Sequence, residues 1–178
     1  MSEFKEFPKI ARLSREIIIT EKIDGTNAQI VIGEDGSFRC GSRNKWITPI
    51  DDNYGFAAWA HTNRDELMKL GPGQHFGEWF GHKIQRGYDR KEKAFALFNS
   101  TRWVAERPMC CEVVPELYRG PFSETAIIHS LAELKELGSK VTPGFMRPEG
   151  IIIFHTAAGI GFKKTLEKDE VPKGLVKP

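Results

Sequence analysis

The stretch Glu16-Ile17-Ile18-Ile19-Thr20-Glu21-Lys22-Ile23-Asp24-Gly25-Thr26-Asn27 runs from an apolar segment into a lysine, a carboxylate and a glycine. The three isoleucines supply the β-branched bulk of a strand over residues 16–21, and Asp24-Gly25 reads as a turn. In extended backbone Lys22 and Asp24 face the same side. A lysine used as a nucleophile must shed its proton, which needs desolvation or cationic neighbours. Gly25 permits a tight turn that brings the backbone close to a ligand. Taken alone, Lys-x-Asp-Gly marks a surface turn more often than a site. Its weight depends on the rest of the chain.

Downstream, residues 28–32 and 37–42 read as strands joined by a Glu34-Asp35-Gly36 hairpin turn, followed by a polar loop over 49–53. Phe56, Trp59, Ala60 and Leu67 recur at roughly helical spacing, which predicts one amphipathic helix over 54–70, ended by Gly71-Pro72-Gly73. Residues 74–80 and 93–98 read as strands joined by a basic loop, 81–91, and residues 109–114 as another strand. Ser123 is placed to cap a helix whose stripe is Ala126, Ile127, Leu131, Leu134 and Leu137, with Gly138 at its end. A strand pair follows at 150–154 and 159–163, and the segment 165–178 is expected to be a mobile tail. Strands interleaved with two helices, without regular alternation, predict an α+β fold with mostly antiparallel sheets.

The 178 residues fit one domain at about 150 residues per domain. A composition of 40% hydrophobic and 28% charged residues is that of a soluble globular protein. A net charge of +2 is compatible with a nucleic-acid partner if the basic residues gather on one face. Three cysteines, two of them adjacent, make a poor disulfide framework and favour a reducing, cytoplasmic setting. No apolar run approaches the ~18 residues that span a bilayer, and the N-terminus has no signal-peptide core. Cys110, Cys111 and the scattered histidines match no zinc spacing. Trp46, Trp59, Trp79 and Trp103 read as core or groove wall rather than as a base-stacking platform.

Other segments carry chemistry. Glu78 lies between large apolar residues in Phe76-Gly77-Glu78-Trp79-Phe80, and a buried acid needs a partner. Phe95 and Phe98 fall on opposite strand faces, so one is core and the other is available to stack. Glu149 immediately precedes the apolar strand at 150–154, and Lys163 and Lys164 end the next one. Adjacent strand residues point to opposite faces, so only one of these two lysines enters a given pocket. Lys83, Arg86, Arg90, Lys91 and Lys93 form a basic cluster that fits either phosphate contacts or a solvated loop.

In chain order these residues run lysine, arginine (Arg43), glutamate, aromatic, glutamate, lysine. That order resembles the covalent nucleotidyltransferase superfamily of ATP-dependent DNA ligases, RNA ligases and mRNA capping enzymes. Within it the chain looks most similar to RNA ligases of the phage T4 RNA ligase 2 and RNA-editing ligase type. Glu21 to Asn27 resembles their nucleophile motif, and Gly41-Ser42-Arg43-Asn44 their arginine motif. The segment from Gly77-Glu78 through Lys83-Ile84-Gln85-Arg86 to Phe95-Ala96-Leu97-Phe98 resembles their ribose-to-adenine segment. Small phage-encoded ligases share this core, so a virus-encoded origin is an expectation.

The resemblance implies two packed, mostly antiparallel sheets with flanking helices, an ATP-grasp-like adenylation domain with ATP in the groove between the sheets. It implies that Lys22 attacks the α-phosphate of ATP to give lysyl-AMP. Asp24 would orient a hydrated magnesium ion, and Glu149 would bind metal-bound water. Glu21 joins the ATP-binding set, Arg43 contacts ribose or phosphate, and Glu78 holds the ribose hydroxyl. Phe98 stacks on adenine, with Phe95 in reserve. Lys163 or Lys164 contacts the α-phosphate, Lys163 being favoured because it follows Gly161-Phe162. Asn27 approaches the phosphate at the nick. The implied partner is a nicked duplex with a 5′-phosphate and a 3′-hydroxyl, sealed by a monomer away from any membrane.

Two departures stand out. The final motif usually reads Lys-x-Lys, whereas Thr165 follows two adjacent lysines here. The sequence also shows neither the OB domain of DNA ligases nor the C-terminal domain of the RNA ligases. A minimal catalytic core spanning 1–178, or a fragment, is therefore expected. A minimal DNA ligase and an inactive end-binding module are the alternative readings.

Overall fold

The computed structural model describes residues 3–169. In chain order the elements are β1 (Glu16–Lys22), β2 (Thr26–Ile32), β3 (Phe38–Gly41), β4 (Trp46–Ile47), α1 (Phe56–Thr62), α2 (Arg64–Leu67), β5 (Gly73–Gly81), β6 (Lys93–Leu97), α3 (Ser100–Trp103), β7 (Cys111–Val113), β8 (Glu116–Pro121), α4 (Glu124–Leu137), β9 (Gly150–His155) and β10 (Ile160–Thr165). They build a four-stranded sheet, β10-β9-β1-β8, and a six-stranded sheet, β4-β3-β2-β5-β6-β7. The α+β expectation with two mostly antiparallel sheets is met. Among the described strands, β6 and β7 make the one parallel pair.

Asp24-Gly25 does not close a hairpin. Lys22 ends β1 in the four-stranded sheet and Thr26 begins β2 in the six-stranded sheet, so Ile23, Asp24 and Gly25 carry the chain from one sheet to the other. The backbone must pass tightly at this crossing. A Cβ on Gly25 would lie 2.4 Å from the Trp79 carbonyl oxygen and 2.8 Å from Phe80 Cβ. Glycine is needed here for close approach, not for a left-handed turn.

Three apolar clusters follow from the period-2 patterns. Ala28, Ile30, Cys40, Ile47, Trp79, Phe95 and Leu97 pack one face of the larger sheet against Phe56, Ala60 and Leu67 of α1 and α2. Ile17, Ile19, Ile151 and Ile153 pack the smaller sheet against Leu134 of α4. Ile23, Phe80, Tyr88, Ala96, Val114 and Phe145 fill the space where the two sheets meet. Trp59, Trp79 and Trp103 belong to the first cluster, as the sequence suggests, but Trp46 does not.

The single helix expected over 54–70 is broken. Tyr54 has a left-handed φ of 53°, so α1 starts at Phe56. The Asp52 carboxylate accepts from the amides of Ala57 and Ala58 and satisfies two of the free donors there. Asn63 (φ −100°) donates its side-chain amide to the Trp59 carbonyl and separates α1 from α2. α4 matches its sequence reading: the Ser123 hydroxyl caps it by accepting from the Ala126 amide, and Gly138 follows its last turn. β4, β8 and α3 were not legible beforehand. Thr165 is the last residue of β10, and Asp169 accepts from its amide. The remainder of the segment read as a mobile tail, 170–178, lies outside the described residues. No helix among the described residues is long and apolar enough to cross a membrane.

Candidate active site

A groove of about 730 Å³ opens between the two sheets. Lys22, Asp24, Asn27, Arg43, Glu78, Phe98 and Lys163 all line it. Each position follows from strand alternation and register. On the smaller sheet, Thr20, Ile152 and Lys163 lie opposite one another across β1, β9 and β10, as do Lys22, Gly150 and Thr165. This row places Lys163 on the groove wall. Lys164 lies opposite Ile151, which is buried under α4, and its Nζ sits 3.2 Å from Asp169 Oδ2.

Lys22 is paired. Its Nζ lies 2.5 Å from Glu149 Oε2, with the two side chains only 18% and 11% exposed. Glu149 reaches Lys22 because Gly150, opposite Lys22, starts β9 at φ 154°, where a Cβ would lie 2.2 Å from the Lys164 carbonyl oxygen. The Glu149-Gly150 dipeptide therefore combines a carboxylate with the residue that tolerates this crowding.

Asp24 is held from two directions. Arg86 Nε donates to its Oδ2 at 3.0 Å, and its own amide donates to the Tyr88 hydroxyl at 2.8 Å. Tyr88 is fully buried between Phe80 and Phe145, and burial pushes its phenol well above the usual range. The loop read from sequence as a basic, solvated or phosphate-binding stretch is thus folded onto the site. Arg86 also donates to the Arg147 carbonyl, Arg90 pairs with Glu112 at 2.8 Å, and Lys93 donates to the Tyr54 carbonyl. Of the five basic residues, Lys83 and Lys91 are exposed.

Glu78 is buried and doubly bonded. Its Oε1 accepts from the Gly25 amide at 3.1 Å, and its Oε2 from the Asn27 side-chain amide at 2.9 Å. Burial pushes its carboxyl up to about 7, against the pull of the Lys22 charge. A site carboxyl near neutrality is poised to exchange a proton or a hydrogen bond with a ligand hydroxyl.

The aromatic pair separates cleanly. Phe95 is fully buried against Phe56, with ring centroids 5.0 Å apart, whereas Phe98 is 42% exposed and lines the groove. Glu21, counted by resemblance in the ATP-binding set, borders the groove but has both carboxylate oxygens engaged elsewhere. The Ser139 hydroxyl donates to one at 2.6 Å, and the amides of Lys140 and Val141 donate to the other. Glu21 therefore ties β1 to the turn that leads toward Glu149. Arg43 is exposed at the groove mouth. Sequence reasoning missed Tyr88, the pairing of Arg86 with Asp24, and the 139–141 turn. A tyrosine in a polar loop carries no local signal of burial.

A family model described as RNA ligase matches residues 15–165. Among solved structures, a Naegleria gruberi RNA ligase mutant with AMP and Mn is similar, at 19% identity and a TM-score of 0.63, covering 86% of this chain and 50% of that one. Another mutant of that ligase, with ATP and Mn, gives 18% identity and a TM-score of 0.62, covering 89% of this chain and 52% of that one. The chain thus spans about half the length of these structures, and at such identity the likeness shows the fold. No curated protein matches the chain in sequence.

Proposed function

The chain belongs to the RNA ligase family, and from that membership we propose that it is an ATP-dependent RNA ligase that seals nicks through lysyl-AMP on Lys22. The observation that carries this reading is convergence. Lys22, Glu78, Phe98 and Lys163 come from separate segments of the chain and line one groove between the sheets, and Glu149 pairs with Lys22 there. The similar solved ligases hold ATP or AMP with Mn, which supports ATP as the co-substrate. The residues of the Glu21–Asn27, Gly41–Asn44 and Gly77–Phe98 motifs support the T4 RNA ligase 2 and RNA-editing ligase type, and in this reading the chain acts as a monomer on a nicked duplex.

In this reading Phe98 stacks on adenine, Glu78 holds the ribose hydroxyl, and Arg43 and Lys163 contact phosphate. Lys22 Nζ loses a proton and bonds to the α-phosphorus, and the bond to the β-phosphate oxygen breaks to release pyrophosphate. The adenylyl group then moves from Nζ to the 5′-phosphate, restoring the amine. A 3′-hydroxyl oxygen bonds to that 5′-phosphorus, and AMP leaves. Phosphoryl transfer of this kind rests on positioning and charge stabilisation.

Among the described residues there is no group of three or more metal-ligating side chains. Asp24 lines a groove with room for phosphates and Glu149 lies against Lys22 on its wall, two carboxylates that suit magnesium with its retained water. Bound there, magnesium would neutralise charge on the phosphates. Asp24 would hold it with Arg86 and Tyr88 as its supports, and Glu149 would take it through water.

The test is incubation with magnesium and ATP labelled on the α-phosphate. Covalent label on the wild type that vanishes in Lys22→Ala is the expected result; an unlabelled wild type would end this reading. Nicked duplexes with ribose or deoxyribose at the 3′-hydroxyl side then check the RNA assignment: preference for ribose is expected, and indifference to the sugar would count against it.

A further inference from the structure

Beyond Glu78, the groove-facing side of the larger sheet continues into solvent. Register defines a row across four strands there: Trp46 on β4 lies opposite Gly41 on β3, Gly41 opposite Gln29 on β2, and Gln29 opposite Phe76 on β5. Phe98 adjoins the end of the row, its amide donating to the Phe76 carbonyl. The other face of the same strands is the buried core. On the open face Trp46 is 45%, Phe76 49% and Phe98 42% exposed.

Single exposed aromatics need no explanation. Three along one row do, because an antiparallel strand with one solvated face ordinarily turns polar side chains outward. The row is also stiff. Gln29 is fixed between the Gln74 side chain and the Ser42 carbonyl, and the Arg39 guanidinium lies 3.9 Å above the Trp46 ring. A depression of about 370 Å³ lies between Phe76, Phe98, Gln29, Ser42, Arg43 and Asn27. The outward positions of β2 to β5 beyond Asn27 and Glu78 are Gln29, Val31, Arg39, Gly41, Trp46, Phe76 and Gln74, with no carboxylate among them.

We propose that this face is a stacking platform for an unpaired polynucleotide strand next to the sealing site, a reading that rests on the ligase assignment. Flat aromatic faces accept bases of any sequence, and nearby cations track the phosphates. Bases stack on Phe76 and Trp46 while Arg39 and Arg43 meet the backbone. The depression shares Asn27, Arg43 and Phe98 with the candidate active-site groove, so a strand on the platform leads directly to Lys22. Paired bases already have both faces stacked within the helix, so the platform takes unpaired nucleotides that flank the duplex holding the nick.

The test compares Phe76→Ala, Trp46→Ala and the double variant with the wild-type chain. Binding of a dye-labelled single-stranded RNA, and of a blunt duplex of the same sequence, is followed by fluorescence anisotropy. Each alanine should weaken single-strand binding about tenfold and duplex binding under about twofold. Self-adenylation should stay at the wild-type level, and Phe76→Tyr or Trp46→Phe should retain binding. A double variant that binds the single strand like the wild type overturns the platform, as does an equal loss for both RNAs. If the wild type takes no label from ATP yet shows the stacking loss, the ligase assignment fails and the platform stands.

Discussion

Lys22 and Glu149, 127 residues apart in sequence, meet with Nζ 2.5 Å from Oε2. The antiparallel register of β1 and β9 sets Lys22 opposite Gly150, so the residue just before β9 leans over the end of β1. In the proposed mechanism the nucleophilic lysine is thereby stored against a carboxylate, and its attack on a phosphate would require that contact to open. Glu149→Gln preserves the shape and removes the charge. Self-adenylation should fall by about 10²-fold or more in single-turnover assays, with a wild-type circular dichroism spectrum. Unchanged turnover would make the pair purely structural.

Lys163 and Lys164 should separate in the same assay. Lys163 shares the groove face with Lys22, while Lys164 pairs with Asp169 behind it. Lys163→Ala should lower self-adenylation by about 10²-fold and Lys164→Ala by less than about threefold. The reverse order would mean that β10 sits in another register.

The two phenylalanines should divide binding from stability. Phe98→Ala should raise the apparent Kd for ATP about tenfold, as loss of a stacking partner does, and barely shift the urea midpoint. Phe95→Ala should destabilise the fold by about 3–5 kcal/mol, since it empties a fully buried aromatic site. ATP titration and urea unfolding on both variants distinguish them.

Glu78 carries a pH signature. Burial raises its carboxyl from the ordinary 4.5 to about 7 in the fold. Between those values the folded protein keeps a proton that the unfolded chain releases. Its contribution to stability is therefore complete below 4.5, is lost as pH rises through about 7, and then levels off. Glu78→Gln removes this titration. Glu21, also raised by burial, contributes a slope of the same sign in both proteins, and His75, lowered by burial, one of opposite sign. Urea midpoints of the wild type minus those of Glu78→Gln should fall across this interval; a flat difference would count against the buried carboxyl.

Gly25→Ala tests the crossing between the sheets. A Cβ there would sit 2.4 Å from a backbone oxygen that cannot swing away. The variant should lose about 1–3 kcal/mol by urea unfolding, and self-adenylation should suffer because the Tyr88 hydroxyl and the Glu78 carboxylate accept from the amides of Asp24 and Gly25. Wild-type stability would show that the sheets can shift apart at no cost.

Eight of the ten described strands, the helix capped by Ser123 and the order of the chemistry-bearing residues were legible in the sequence, because alternation, β-branched bulk and capping are local properties. Phe95 and Phe98 could be assigned to opposite faces on the same ground. The groove choice between Lys163 and Lys164, the engagement of Glu21 by the 139–141 turn, the burial of Tyr88 and the pairing of Arg86 with Asp24 were decided only in the folded chain. Arg86 and Asp24 are 62 residues apart, and Glu21 and Lys140 are 119 apart. The exposure of Trp46 likewise depends on a two-residue edge strand that no periodicity can reveal. Which faces a strand has is written in its own residues. Which neighbour each face meets depends on register and sheet membership, and those are set by hydrogen bonds and packing between distant segments.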